Sequence, residues 1–293
     1  MTCKTLALIM FVALAAIAAD DSVDTTVMSF NIRYAGANDG INSWPNRRDL
    51  VRDAIVSHRP AIFGVQECLW NQGVELGEAF AEYRMTGVGR DDGAKKGEMC
   101  AIFTSRERYQ VLDQGTFWLS ETPDVIGSKG WDAALPRIAT WVKLQDRWCH
   151  PDTLFVFNTH FDHMGTIARE NSAELLRERM AAMAAGQPVI LMGDFNDSAT
   201  SASPSYGILM AESGPAGLTL RDTWSLASRD QRMQGEGTYH GFSGEATRGR
   251  IDWILTTEGF QGVDAGIERL QDNGRYPSDH FPVWATFRLE RLY

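Results

Sequence analysis

Six short apolar runs in this sequence end in, or carry at one end, a side chain able to bind a metal ion or a phosphate. They are Asn31 in SFNIR, Glu67 in GVQE, His160 in FNTHFDH, Asp194 with Asn196 in GDFN, Asp252 in RIDWIL, and Asp279 with His280 in SDHFPV. Carboxylates and amide oxygens are the ligands of hard divalent cations, and carboxylates and imidazoles move protons near neutral pH. Asp194 and Asn196 stand at i, i+2, so an extended chain presents both on one side. Each residue alone has a plain reading. Asn31 reads as a structural hydrogen-bonder, His280 as a partly buried histidine, Asp252 as a salt-bridge partner of Arg248 or Arg250, and GDFN as a turn. The repetition of one pattern across the chain is the signal.

The elements that must carry these ends can be read from periodicity. TTVMSFNIR (25–33), AIFGVQE (61–67), GEMCAIFTS, YQVLDQGTFWL, IATWVKL, TLFVFNTH, PVILMGDFN, RIDWILT (250–256) and a last stretch over 279–289 read as strands. Helical spacing appears over 47–58, with Leu50, Val51, Ala54 and Ile55 on one stripe. It appears again over about 167–185, closed by Gly186 and Pro188. A long loop is expected over 119–136. Strand-helix units alternate with strand-strand runs, which predicts an α/β sandwich with mixed sheets.

Bulk properties bound the rest. The first 19 residues have the layout of a signal peptide, with Lys4, the apolar TLALIMFVALAAIAA and a small-x-small site before DDSVD. Export to the periplasm or medium, with no stable membrane anchor after cleavage, is the expectation. The remaining chain has no linker or repeat to divide it, and one domain over 23–291, a monomer, is expected. Cys68, Cys100 and Cys149 are too few for a disulfide scaffold. A net charge of −10 disfavours a grip on a long polyanion but not on a small phosphorylated substrate.

Taken together, the polar ends resemble the endonuclease/exonuclease/phosphatase superfamily, in its order and at comparable spacing from Asn31 to His280. GDFN and SDH are its most specific pieces, and NSWPNRR, GVGRDDG, TFWLSETP and TYHGF resemble a secreted bacterial branch of it. The resemblance implies a DNase I-like four-layer α/β sandwich, two packed mixed β-sheets flanked by helices. It also implies hydrolysis of a phosphodiester or phosphomonoester by in-line attack of water with a divalent metal. Glu67 would be the main metal ligand with Asn31 beside it and Asp279 completing the site. Such oxygen ligands suit Mg²⁺, with Mn²⁺ as a substitute. His280 would be the general base, or would hold the phosphate as a cation, with Asp252 fixing its tautomer. Asp194 would orient the water, and Asn196 and His160 would donate to phosphoryl oxygens.

Around this set, Arg90 and Arg137 are candidate phosphate binders, weighed against solvated loop arginines. Tyr239 in TYHGF is a candidate pocket residue, and Trp44, Trp118 and Trp131 a candidate aromatic wall. His163 lies near His160 but lacks a third nitrogen or sulfur ligand for zinc, so it reads as a loop histidine. A nuclease acting on DNA or RNA is the alternative enzyme. A non-catalytic binding protein on the same fold is the alternative of another class, and the complete set of site residues argues against it.

Overall fold

The computed structural model describes residues 22–150, 153–212 and 217–290. The leader expected over residues 1–19 lies outside the described residues. In chain order the first elements are β1 (Ser22–Asn31), α1 (Trp44–His58), β2 (Ile62–Cys68), α2 (Trp70–Ala79), β3 (Tyr83–Thr86), β4 (Met99–Ser105), β5 (Tyr109–Trp118) and β6 (Ile138–Asp146). There follow β7 (Thr153–His160), α3 (Thr166–Ala184), β8 (Val189–Asp194), α4 (Pro204–Met210), β9 (Arg221–Asp222), α5 (Arg229–Met233), β10 (Asp252–Thr256), β11 (Gln261–Ile267) and β12 (Val283–Glu290).

The strands form two six-stranded sheets, ordered β11-β12-β1-β2-β4-β3 and β5-β6-β7-β8-β10-β9. Each holds one parallel pair, β1 with β2 and β7 with β8, among antiparallel neighbours. A parallel pair needs a crossover, and α1 and α3 supply it. This topology positions the site. Parallel strands end at the same edge, so Asn31 and Glu67 emerge together from one sheet, and His160 and Asp194 from the other. An antiparallel neighbour begins where its partner ends, which adds Asp252 at the start of β10, Glu98 before β4 and Arg137 before β6.

Side chains alternate between the two faces of each strand. Val27, Ile62, Ile102, Val142, Val156, Ile190, Met192 and Ile254 fill the layer between the sheets. Met28, Phe30, Phe63 and Val65 face α1 and α2 with Val51, Ile55 and Leu76, while Phe157, Leu191 and Trp253 face α3 and α4 with Leu176, Met180 and Leu209. The result is four layers, helix, sheet, sheet, helix. The sheets approach closely at Gly64, where a Cβ would lie 2.6 Å from the Met192 sulfur and 2.9 Å from Asn158 Cγ. Cys68, Cys100 and Cys149 are buried.

Several expected boundaries move. β1 ends at Asn31 rather than 33, because Arg33 has a left-handed backbone, φ 55°. The stretch expected as strand from 279 becomes β12 only at Val283, after Pro282, which has no N–H to give a ladder. α2, β3, α4, β9, α5 and β11 were not expected. α2 (WNQGVELGEA) and β11 (QGVDAGI) each carry two glycines, which weaken both periodic signals. The stretch 119–136 is a loop, as expected.

Candidate active site

A β-bulge delivers Glu67. Val65 pairs with Ala101 and Cys68 with Met99, so Gln66 and Glu67 face the single residue Cys100, and Glu67 takes a φ of 56°. A bulge re-aims a side chain, and a left-handed non-glycine residue persists only where its surroundings hold it. Here Asn158 holds them. From the opposite sheet its amide donates to Val65 O at 3.0 Å and Ala101 O at 2.9 Å and accepts from Gln66 at 2.6 Å.

Across the cleft, GDFN turns sharply. Gly193 has no alternative, since a Cβ there would lie 2.2 Å from the Thr159 carbonyl oxygen. Asn196, at φ 49°, donates its backbone N–H to Asp194 Oδ1 at 2.9 Å.

The two halves meet on Asn31. Its Nδ2 lies 2.9 Å from Asp194 Oδ2, 3.1 Å from Glu67 Oε1 and 3.5 Å from His280 Nε2. Its Oδ1 accepts the Arg33 N–H at 3.0 Å, and Glu67 Oε2 accepts the Tyr34 N–H at 3.1 Å. On its other side His280 Nδ1 lies 2.9 Å from Asp252 Oδ2. Residues up to 249 positions apart thus share one network. Asp252 does not pair with Arg250, which goes to Asp222 at 2.5 Å.

Burial sets the charge states. It disfavours a charged His280, but Asp252 and Asp194 outweigh it and hold the imidazole pKa well above its ordinary value. Burial, and then the Asp252 charge, push the Asp194 carboxyl up to about 7. Burial also raises Asp279. His160 goes the other way, held well below its ordinary value by burial and by Arg137 and Arg90. The Asn196 amide nitrogen lies 2.9 Å from His160 Nε2 and 3.1 Å from Phe161 O, so a neutral His160 accepts one of its hydrogens. Both amide hydrogens of Asn196 are engaged. A substrate oxygen must displace one of these bonds.

The donor chemistry fits a hard divalent cation. Glu67 and Asp279 offer carboxylate oxygens on the cleft wall, whereas the polar atoms of Asp194, Asp252 and His280, within 4.8 Å of one another, are bound together by the cationic imidazole. Buried acids this close favour a cation among them.

All these groups except the buried Asn31 and Asp252 line a cleft of about 580 Å³. Arg90, Arg137 and Tyr239 line it as well, but both arginines are buried and paired, Arg90 with Glu98 at 2.7 and 2.9 Å and Arg137 with Asp162 at 3.3 Å. The Tyr239 ring meets the His280 ring edge-on at 5.1 Å. The tryptophan wall is not there. Trp44 is buried in the α1–α2 layer, Trp118 donates to Arg90 O from below, and neither they nor Trp131 line the cleft. His163 does line it, with Nδ1 2.9 Å from Arg137 Nη2. Sequence reasoning missed Arg33, Glu98 and Arg248, which line the cleft too.

The fold and these residues define a DNase I-like hydrolase scaffold. The sequence matches the Endonuclease/Exonuclease/phosphatase family over residues 28–280, and the chain belongs to that family of phosphoester hydrolases. An endonuclease/exonuclease/phosphatase family protein from Bacteroides thetaiotaomicron is 34% identical, with a TM-score of 0.81 over 92% of this chain and 96% of that one. The mannosyl-6-phosphatase of the same organism is also 34% identical, with a TM-score of 0.76 over 92% of this chain and 100% of its own. An uncharacterized protein of Acanthamoeba polyphaga mimivirus is 30% identical over 169 residues, 53% of this chain and 60% of that relative's length.

Proposed function

We propose that this protein is an exported, Mg²⁺-dependent hydrolase of small phosphoesters. The observation that carries the reading is the network on Asn31, where Glu67, Asp194 and His280, from distant parts of the chain, meet in one cleft. Glu67 and Asp279 would hold the metal, with Asn31 orienting Glu67 and Mn²⁺ as a substitute for Mg²⁺. Bound there, the ion would supply charge neutralisation at the phosphate and a more acidic water.

The chain's own residues divide the remaining work. Asp194, with a carboxyl near neutrality, orients the attacking water and takes its proton. His280, held cationic by Asp252, donates from Nε2 to a phosphoryl oxygen. Asn196 donates to a second oxygen once substrate displaces His160 or Phe161.

Substrate size follows from the walls. A cleft of about 580 Å³ falls within the roughly 300–1,000 Å³ typical of small-molecule sites. With a net charge of −10 and paired arginines, little remains to track a nucleic-acid backbone. The likeness to a mannosyl-6-phosphatase supports a phosphorylated sugar. Export rests on the sequence of the first 19 residues, and no helix of the described residues is long and apolar enough to cross a membrane.

The test is a panel of sugar, inositol, lipid-headgroup and nucleotide phosphoesters, with an oligonucleotide, at two salt concentrations. Small esters should be hydrolysed, EDTA should abolish turnover and Mg²⁺ or Mn²⁺ restore it. Undiminished turnover in chelator would reject metal dependence. Efficient, salt-sensitive cleavage of the oligonucleotide would promote the nuclease reading.

A further inference from the structure

Four arginines line the cleft, and three are held by carboxylates. Asp39 holds Arg33 at 3.1 Å, Glu98 holds Arg90 at 2.7 Å, and Asp162 holds Arg137 at 3.3 Å. In each pair the charge is offset and the donors are aimed at the partner. Arg248 is different. Among the described residues no carboxylate pairs with it, and its guanidinium lies over the Tyr239 ring, 5.3 Å from the centroid. A guanidinium resting on an aromatic face keeps its in-plane N–H groups free for an anion.

Its position is built rather than incidental. The Thr247 N–H donates to Tyr239 O at 3.0 Å, which ties the arginine's loop to its platform. Tyr239 in turn pairs with His280 as a β-bridge, and the His240 N–H donates to Asp279 O at 2.9 Å. Free cation, aromatic ring and site histidine therefore form one series running from the exposed rim into the cleft.

We propose that Arg248 selects phosphomonoesters over phosphodiesters by binding the third terminal oxygen of the monoester. The proposal rests on the hydrolase reading and narrows its substrate class. A diester has two terminal oxygens and one negative charge, whereas a monoester has three and a total charge near −2 at neutral pH. His280 and Asn196 serve the two terminal oxygens that both ester classes have, and the ion proposed at Glu67 and Asp279 would share one of them. The third, which a diester spends on its other ester group, falls to a cation with no carboxylate of its own, and Arg248 is that cation.

The experiment compares wild type, Arg248→Gln and Arg248→Lys on p-nitrophenyl phosphate and bis(p-nitrophenyl) phosphate in Mg²⁺ buffer. Calorimetry in the same buffer measures binding of inorganic phosphate and of dimethyl phosphate. Loss of a charge-assisted hydrogen bond predicts that Arg248→Gln lowers kcat/KM on the monoester, and phosphate affinity, by about 10- to 100-fold. The diester rate and dimethyl phosphate affinity should change by less than about threefold, with partial recovery in Arg248→Lys, which keeps the charge without the planar fork. Equal losses on both esters, or no loss on the monoester, would overturn the proposal. A wild type that turns over neither ester, nor any member of the sugar, inositol, lipid-headgroup and nucleotide panel, would instead refute the hydrolase reading. Phosphate binding still decides the role of Arg248 in that case, since unchanged affinity in Arg248→Gln overturns it.

Discussion

The layer between the two sheets has an apolar end and a polar end, and single strands pass from one to the other. Facing inward, β1 runs Val27, Ser29, Asn31, β7 runs Val156, Asn158, His160, and β8 runs Ile190, Met192, Asp194. Val27, Val156, Ile190 and Met192 belong to the inter-sheet core, whereas Asn31, His160 and Asp194 belong to the cleft network. Every second residue keeps the same orientation, so one periodicity carries both purposes. The apolar end gains free energy by burial. The polar end buries charge, which favours folding only where hydrogen bonds or opposite charges compensate it.

The largest effect that tests this division is on rate. Asp194→Asn should lower kcat by at least about 10³-fold, within the range for loss of a proton-transfer group. The same change removes a crowded buried acid, so the urea midpoint should stay level or rise. A midpoint falling as far as in core variants would break the comparison. At the apolar end Ile190→Ala should cost about 2–5 kcal/mol of stability while kcat of the folded enzyme holds. Losing both together would show that the two ends are mechanically one.

Asn158 stands between them. Asn158→Leu removes the donors to Val65 O and Ala101 O and one acceptor of the Gln66 amide, which keeps Ser29 Oγ at 3.1 Å, and should cost about 3 kcal/mol. Val65 lies two residues before Glu67, so affinity for the Mg²⁺ proposed at that site, measured by calorimetry, should weaken as well. Unchanged affinity would mean that the bulge holds Glu67 without the clasp.

The same division explains what could be read from sequence. Strand ends bearing Asn31, Glu67 and Asp194 were legible because an apolar run stopped at a chemically capable residue, and His280, before β12, was legible through SDH. Glu98 precedes its strand instead, and only the antiparallel pairing of β4 with β2 brings it to the cleft. That pairing could have been suspected from the order of strands. Arg33 was hidden by its left-handed backbone, and Arg248 by a polar loop with no periodicity at all. The tryptophans misled for the opposite reason, since bulk and aromaticity suit a core layer as well as a ligand wall.

Asp162 gives the smallest effect and the finest test, because it lies beside the polar end yet its work is structural. Its Oδ1 accepts the Met164 and Gly165 N–H groups at 3.0 and 2.8 Å, and its Oδ2 accepts from Leu135 N and Arg137 Nε, each at 3.3 Å. Burial raises the carboxyl pKa, but these backbone donors and Arg137 overcome it and bring it down to about 2. A depressed carboxylate stabilises the fold fully above its unfolded value near 4, and the contribution fades as pH falls through about 2. A shift of this size corresponds to about 2 kcal/mol. Asp162→Asn should therefore lower stability by about that amount at pH 7, while the gap to wild type closes between about pH 4 and 2. Urea midpoints at pH 7, 4 and 2.5 would measure it. A gap constant over that range would mean that Asp162 acts through packing alone, and the charge would then belong to the chemistry of the cleft rather than to the stability of its wall.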